Sequence, residues 1–124
     1  MAYKRKNGSI DYQALVNEAE RIDPDENPEK VVALLEPYRN DSNNNSMFYF
    51  FLGDAYKDLG REKEAIDLYN KSIRLDSNNC LPYAGLAQIY HKKGKNKQTN
   101  KFIHEFLIRA EPFMEKLLKD GPKK

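Results

Sequence analysis

The residues able to do chemistry in this 124-residue chain are few, and their spacing decides what they are for. His91 and His104 are its two imidazoles, and neither has a second His or a Glu at i+3 or i+4 that would share its helix face and begin a metal pair. Cys80 is the single cysteine, so an internal disulfide framework and a cysteine-based zinc site are both excluded, and a reducing cytosolic compartment fits. A lone thiol at a helix start, without a nearby His, is suited to oxidation or labelling and not to nucleophilic catalysis. Asp23, Asp25 and Glu26 fall in a turn, where acids are solvated, and not in an enclosed pocket where one could be tuned as acid and another as base. Gly53, Gly60, Gly85 and Gly94 are dispersed, so no loop of consecutive backbone N–H groups is available to cradle a phosphate. The expectation is a chain that is not an enzyme and that holds no metal and no cofactor.

What remains is recognition by surface. The run from Met47 to Leu52 is hydrophobic on every side of the helix it would form, which is more than one packing face requires. At 100° per residue Tyr49, Leu52, Gly53 and Tyr56 take one stripe, and Met47, Phe50, Phe51, Asp54, Lys57 and Asp58 fall on the other side. Two readings stay open. In one, neighbouring helices cover at least one of Phe50 and Phe51. In the other, the rings form the apolar floor of a groove with a charged lip, extended by Gln13, Val16 and Glu20 from an earlier helix and by Leu81, Ala84, Gln88 and His91 from a later one.

The elements that must position these residues repeat. Tyr49, Leu52, Gly53 and Tyr56 return thirty-four residues later as Tyr83, Leu86, Ala87 and Tyr90, and the same shift carries Gly60 onto Gly94, Leu68 onto Phe102 and Ile73 onto Leu107. Two helix-sized segments either side of a Gly, repeated at that period, are the signature of stacked helical hairpins. The motif Tyr49-x-x-Leu52-Gly53-x-x-Tyr56 followed by Ala65-x-x-x-Tyr69 resembles the tetratricopeptide repeat, with Tyr49 where that family most often has Trp and Ser77 in place of its usual closing Pro. The resemblance implies an all-α, right-handed superhelical array of antiparallel helical hairpins, and binding of a partner protein segment along the groove-lining first helices. Members that grip acidic chaperone tails use Lys, Asn and Arg there. This chain has Val16, Glu20, Phe51, Leu81 and Gly85 at the corresponding places, so that clamp is absent.

Read in order, residues 1–8 form a basic leader expected to fray, and Ser9 is expected to cap a first helix that ends before Asp23-Pro24. Asn27-Pro28-Glu29 starts a second, which Pro37 should bend or stop. Helices three and four span about 46–59 and 62–75, with Gly53 and Ala65 small so that they approach closely. Pro82 opens a fifth helix that runs to about Lys93, and a sixth spans about 97–110. The domain is therefore expected over 9–119, with repeats at about 9–44, 45–79 and 80–111. A short capping helix at 112–119, broken from the sixth helix at Glu111-Pro112, and a tail at 120–124 complete it. The exposed end of a helical array needs such a polar-sided cover, and Phe113, Met114, Leu117 and Leu118 would supply its apolar side. Docking of that segment, or of the Phe50 surface, on a second copy is the alternative, which makes the protein a homo-oligomeric scaffold.

Net charge is only +2, but basic residues outnumber acidic ones ten to four from His91 onward. Lys92, Lys93, Lys95 and Lys97 bracket one turn without the interleaved aromatics that stack on bases, so nucleic acid is the least favoured partner. No stretch is long and apolar enough to span a bilayer, and Met1 to Ile10 lacks the apolar run of a signal peptide.

Overall fold

The computed structural model describes residues 3–23 and 25–120, apart from the side chains of Phe113, Leu117 and Asp120. Residues 1–2 of the leader and 121–124 of the tail lie outside the described residues. Every regular element among those described is helical: α1 (Tyr12–Ile22), α2 (Pro28–Leu35) with a 3-10 turn at Glu36–Tyr38, α3 (Ser46–Asp58), α4 (Glu62–Leu75), α5 (Leu81–Lys92) and α6 (Asn96–Asp120). The fold is thus the all-α array of antiparallel hairpins that the 34-residue period demands. The chain divides into two compact units after Asp76.

In the first unit α3 is the hub, packing on α4, α2 and α1. It buries Phe48, Tyr49, Leu52, Ala55 and Tyr56 against Leu15 and Ala19 of α1, Val31 and Leu35 of α2, and Ala65, Leu68 and Tyr69 of α4. Gly53 allows the closest approach: a Cβ there would stand 3.0 Å from the Tyr69 ring. Ser46 and Ser72 pin the far ends of α3 and α4, each hydroxyl donating to the other residue's carbonyl, at 2.9 and 2.8 Å. In the second unit α5 packs on α6, burying Tyr83, Leu86, Ala87 and Ile89. Thr99, which stands where Ala65 does one repeat earlier, is buried, and its hydroxyl donates to the carbonyl of Lys95 at 2.9 Å.

The hairpin turns repeat down to single hydrogen bonds. Gly60 (φ 79°) and Gly94 (φ 72°) each take the left-handed conformation that glycine adopts without steric cost. The Arg61 N–H then donates to the Tyr56 carbonyl, and the Lys95 N–H to the Tyr90 carbonyl, both at 2.9 Å. One period earlier the equivalent carbonyl, that of Ile22, receives its hydrogen bond from the side-chain amide of Asn27 at 3.2 Å. The first turn therefore satisfies the same helix end with a side chain, and Asp23 carries the positive φ of 70°.

Three local expectations are corrected. Asp11, and not Ser9, caps α1, its carboxylate accepting from the Ala14 N–H at 3.1 Å. Ser9 is engaged in a turn instead: Lys4 and Ile10 form an antiparallel bridge, and the Arg5 N–H donates to the Ser9 carbonyl at 2.7 Å, so the described part of the leader folds back on itself. Finally, α6 continues through Pro112 to Asp120, so the segment expected as a separate capping helix at 112–119 is the second half of one 25-residue helix. Its apolar spacing runs unbroken across residue 112, and that continuity outweighs the hydrogen bond proline removes.

Candidate functional site

The residues expected to line a groove fall in both units, and each unit carries its own share. In the first, Val16 is buried in the core and Phe50 is only 9% exposed, its ring lying 5.4 Å from Phe51 and 6.1 Å from Tyr69, centroid to centroid. Met47, Phe51, Asp54 and Lys57 stay half-buried along α3, and Gln13 and Glu20 are exposed on α1. Gln13 is tied into that surface, donating to Asn17 at 3.0 Å and accepting from Asn45 at 3.4 Å. α3 thus sinks one aromatic ring and leaves the next half-open above it.

Below Phe51 the surface is acidic and ordered. Asp54 accepts a hydrogen bond from the Tyr69 hydroxyl, and the Lys57 ammonium stands 3.9 Å away. Burial raises the Asp54 carboxyl above the usual carboxylate range, and the Tyr69 hydroxyl and Lys57 hold it back. One turn on, burial and a hydrogen bond with Asp25 push Asp58 up to about 6. Tyr69 is pushed far up by burial and then by the charge of Asp54, so it stays a neutral donor. This arrangement positions side chains by hydrogen bonding. Among the described residues no group of three or more His, Cys, Asp or Glu is placed to hold a metal ion.

In the second unit the structure brings Ala84, Gln88 and His91 of α5 together around a hollow of about 380 Å³, with Thr99, Ile103 and Phe106 of α6 as its opposite wall. The period explains the hollow. Ala84 stands where Phe50 does and Ile103 where Tyr69 does, so the two rings that pack on each other in the first unit are here replaced by a methyl and a branched aliphatic. Volume that α3 and α4 fill with aromatic carbon is left open between α5 and α6. Leu81, 38% exposed, borders a second, larger hollow of about 620 Å³ with Cys80, Phe106, Leu107, Ala110 and Met114.

Ile103, Phe106, Leu107 and Met114 line these hollows and are candidate site residues that sequence reasoning missed. Phe102, Ile103, Phe106 and Leu107 share one apolar side of α6 at helical spacing, yet only Phe102 and Phe106 are half-buried, while Ile103 and Leu107 are exposed. The missed signal was Ala84: a small residue at the position of a ring leaves its partner position uncovered.

A third hollow of about 370 Å³, beside α4, is lined by Arg39, Lys71 and Arg74 together with Asp41, Glu64 and Asp67, a balance that favours no single sign of ligand. No helix among the described residues is long and apolar enough to cross a membrane.

Compared with known proteins, residues 53–94 match a family model described as TPR repeat, the stretch that runs from within α3 to the turn between α5 and α6. A TPR repeat-containing protein of Methanocaldococcus jannaschii is 39% identical over 74 residues, which is 60% of this chain and 12% of that protein. The chain thus spans about an eighth of the length of the relative it matches.

Proposed function

This chain belongs to the tetratricopeptide repeat family, whose repeats are protein–protein interaction modules, and we propose that it is a non-catalytic adaptor that captures an apolar side chain of a partner protein segment in the hollow between α5 and α6. The observation that carries this reading is the open volume of about 380 Å³ that Ala84 leaves opposite Ile103. Its walls are methyl, aliphatic and aromatic carbon, and Gln88 and His91 stand at its edge, so burial of a Leu, Met or Phe supplies the free energy and the two polar side chains orient the segment. At roughly 25 cal/mol per Å² one such side chain contributes about 2 kcal/mol. In the first unit the half-buried Phe51 and Met47 of α3, flanked by Asp54 and Lys57, form an apolar surface of their own.

The test follows from the period. Ala84→Phe restores the ring found one repeat earlier and fills the hollow without charge or strain on the helix. Segments selected by wild-type protein from a random peptide display library should lose ten-fold or more of their affinity for Ala84→Phe, with the circular dichroism spectrum unchanged. A variant that binds them undiminished refutes the hollow as the site.

A further inference from the structure

We infer that Asn7 is a modification site: its side-chain amide is lost to attack by the Gly8 backbone nitrogen, with Ser9 holding the reacting carbonyl, and the product unclasps the leader. Of the twelve asparagines in the chain this is the one followed by glycine, so its neighbouring nitrogen is the one that no side chain crowds. Asn7 is exposed, and a Cβ built on Gly8 would meet nothing within 4 Å, so water reaches the pair freely.

The turn prepares the reaction. Asn7 Oδ1 accepts from the Ser9 N–H at 3.0 Å and from the Ser9 hydroxyl at 2.6 Å. The first of these closes an Asx turn, a ring of which the Gly8 nitrogen is itself a member, so the carboxamide is folded back beside that nitrogen. Both donors point at the oxygen on which negative charge develops when the nitrogen adds to Cγ, the arrangement of an oxyanion hole. Lys4, Arg5 and Lys6 stand next to it in the chain and no acid precedes Asp11, so the local charge favours the same anion. The Gly8 N–H donates to the Arg5 carbonyl at 2.9 Å and has to leave it first. One bond of an exposed turn opens and closes far faster than chemistry that takes days, and the Asx contact does not depend on it.

Asn40 supplies the comparison. Its Oδ1 is also held twice, by the Ser42 N–H at 2.8 Å and the Tyr12 hydroxyl at 3.3 Å, and it too is exposed. There the nitrogen that follows belongs to Asp41, whose side chain obstructs the approach and whose charge opposes the anion. A held carbonyl without a bare nitrogen beside it should therefore stay intact while Asn7 reacts.

The step needs water and nothing else. A bond forms between the Gly8 nitrogen and Asn7 Cγ, the Cγ–Nδ2 bond breaks, and Nδ2 departs as ammonia with the proton that Gly8 gives up. Water then opens the cyclic imide at either carbonyl. One opening gives aspartate. The other gives isoaspartate, in which the backbone runs through the former side chain and gains one carbon.

That carbon falls inside the leader's clasp. The Arg5 N–H to Ser9 carbonyl bond of 2.7 Å closes round it, the Asp11 N–H reaches the Tyr3 carbonyl at 2.5 Å, and the Tyr3 ring meets Tyr38 edge-on at 5.9 Å. Gly8, at φ 87°, already uses the left-handed conformation that so short a turn requires. A longer backbone breaks this register and frees Tyr3 from Tyr38. No residue of the site lines the Ala84 hollow, so the inference does not rest on the peptide-capture reading.

Peptide mass mapping of the folded full chain, held for weeks at mildly alkaline pH, tests the site. Residue 7 should convert well before Asn40, with isoaspartate exceeding aspartate, and faster as pH rises. Ser9→Ala should slow the conversion several-fold, and Ser9→Thr, which keeps both donors, should restore it. In urea, where the turn is gone, the three rates should converge. An Asn7 that survives in the folded chain as long as Asn40 overturns the site. Equal rates for wild type and Ser9→Ala in the folded state overturn the part given to Ser9. Amide exchange at Arg5 and Asp11 should quicken in the isoaspartate fraction and stay slow in Asn7→Asp, which adds no carbon. Unchanged exchange in the isoaspartate fraction overturns the unclasping, and exchange that quickens equally in Asn7→Asp overturns the added carbon as its cause.

Discussion

At the scale of single residues, the chain makes its surfaces by substitution at fixed places in the period. Phe50 becomes Ala84 and Tyr69 becomes Ile103, and a packed pair of rings becomes a hollow. The exchange of Asp54 for Gln88 follows the same logic, since the tyrosine hydroxyl that holds Asp54 has no counterpart on Ile103. Asp58 shows what the acidic side of α3 costs. With its carboxyl raised to about 6 by burial and by Asp25, the neutral form is favoured in the folded state. Its contribution to stability is therefore complete below about pH 4, the usual carboxylate range, and is lost as pH rises through 6. Asp58→Asn keeps the neutral form at every pH, so the stability of this variant relative to wild type should increase between pH 4 and 7 in urea titrations. Asp58 is exposed enough that solvent screening keeps the gain small. A difference that is flat or opposite in sign over that interval would show that the Asp25–Asp58 hydrogen bond does not govern the titration.

At the scale of elements, the turns are where period and chemistry agree most closely, and α6 is where they part. Gly60 and Gly94 end α3 and α5 with the same backbone hydrogen bond, and Asn27 does the equivalent work with a side chain at the end of α1. α6 instead runs past the length of its partner, with Pro112 inside it. That proline removes one donor and crowds the carbonyl of Ile108, at a cost of up to ~3 kcal/mol for an interior position. Pro112→Ala should therefore slow amide exchange over residues 113–120 and raise helicity by circular dichroism. If exchange there is unchanged, the strain is already relieved elsewhere in the helix. The same substitution should leave capture at the Ala84 hollow unaffected, because the residues lining it all precede the proline.

At the scale of the whole molecule, charge does little to select a partner: the net charge is +2 and the basic excess gathers beyond His91, while the hollow itself is lined by carbon. Capture driven by apolar burial should keep its affinity within about two-fold as salt rises from low to high concentration, whereas a contact made through several phosphates loses orders of magnitude over a similar range. A steep salt dependence measured on the selected peptides would move the site from the hollow to the lysine-bearing turn at Lys92 to Lys97. The sequence by itself determined the all-α hairpin architecture, the turns at Gly60 and Gly94, and the packing stripe of Tyr49, Leu52, Gly53 and Tyr56, because local periodicity and turn chemistry leave a backbone few alternatives. Only the tertiary structure decided which apolar residues stay uncovered. Phe50 and Ile103 are both large side chains on amphipathic helices, and whether each is buried depends on what stands opposite it, Tyr69 for one and Ala84 for the other. The continuation of α6 through Pro112 was decided in the same way, by unbroken apolar spacing on both sides of a residue whose local preference is to stop.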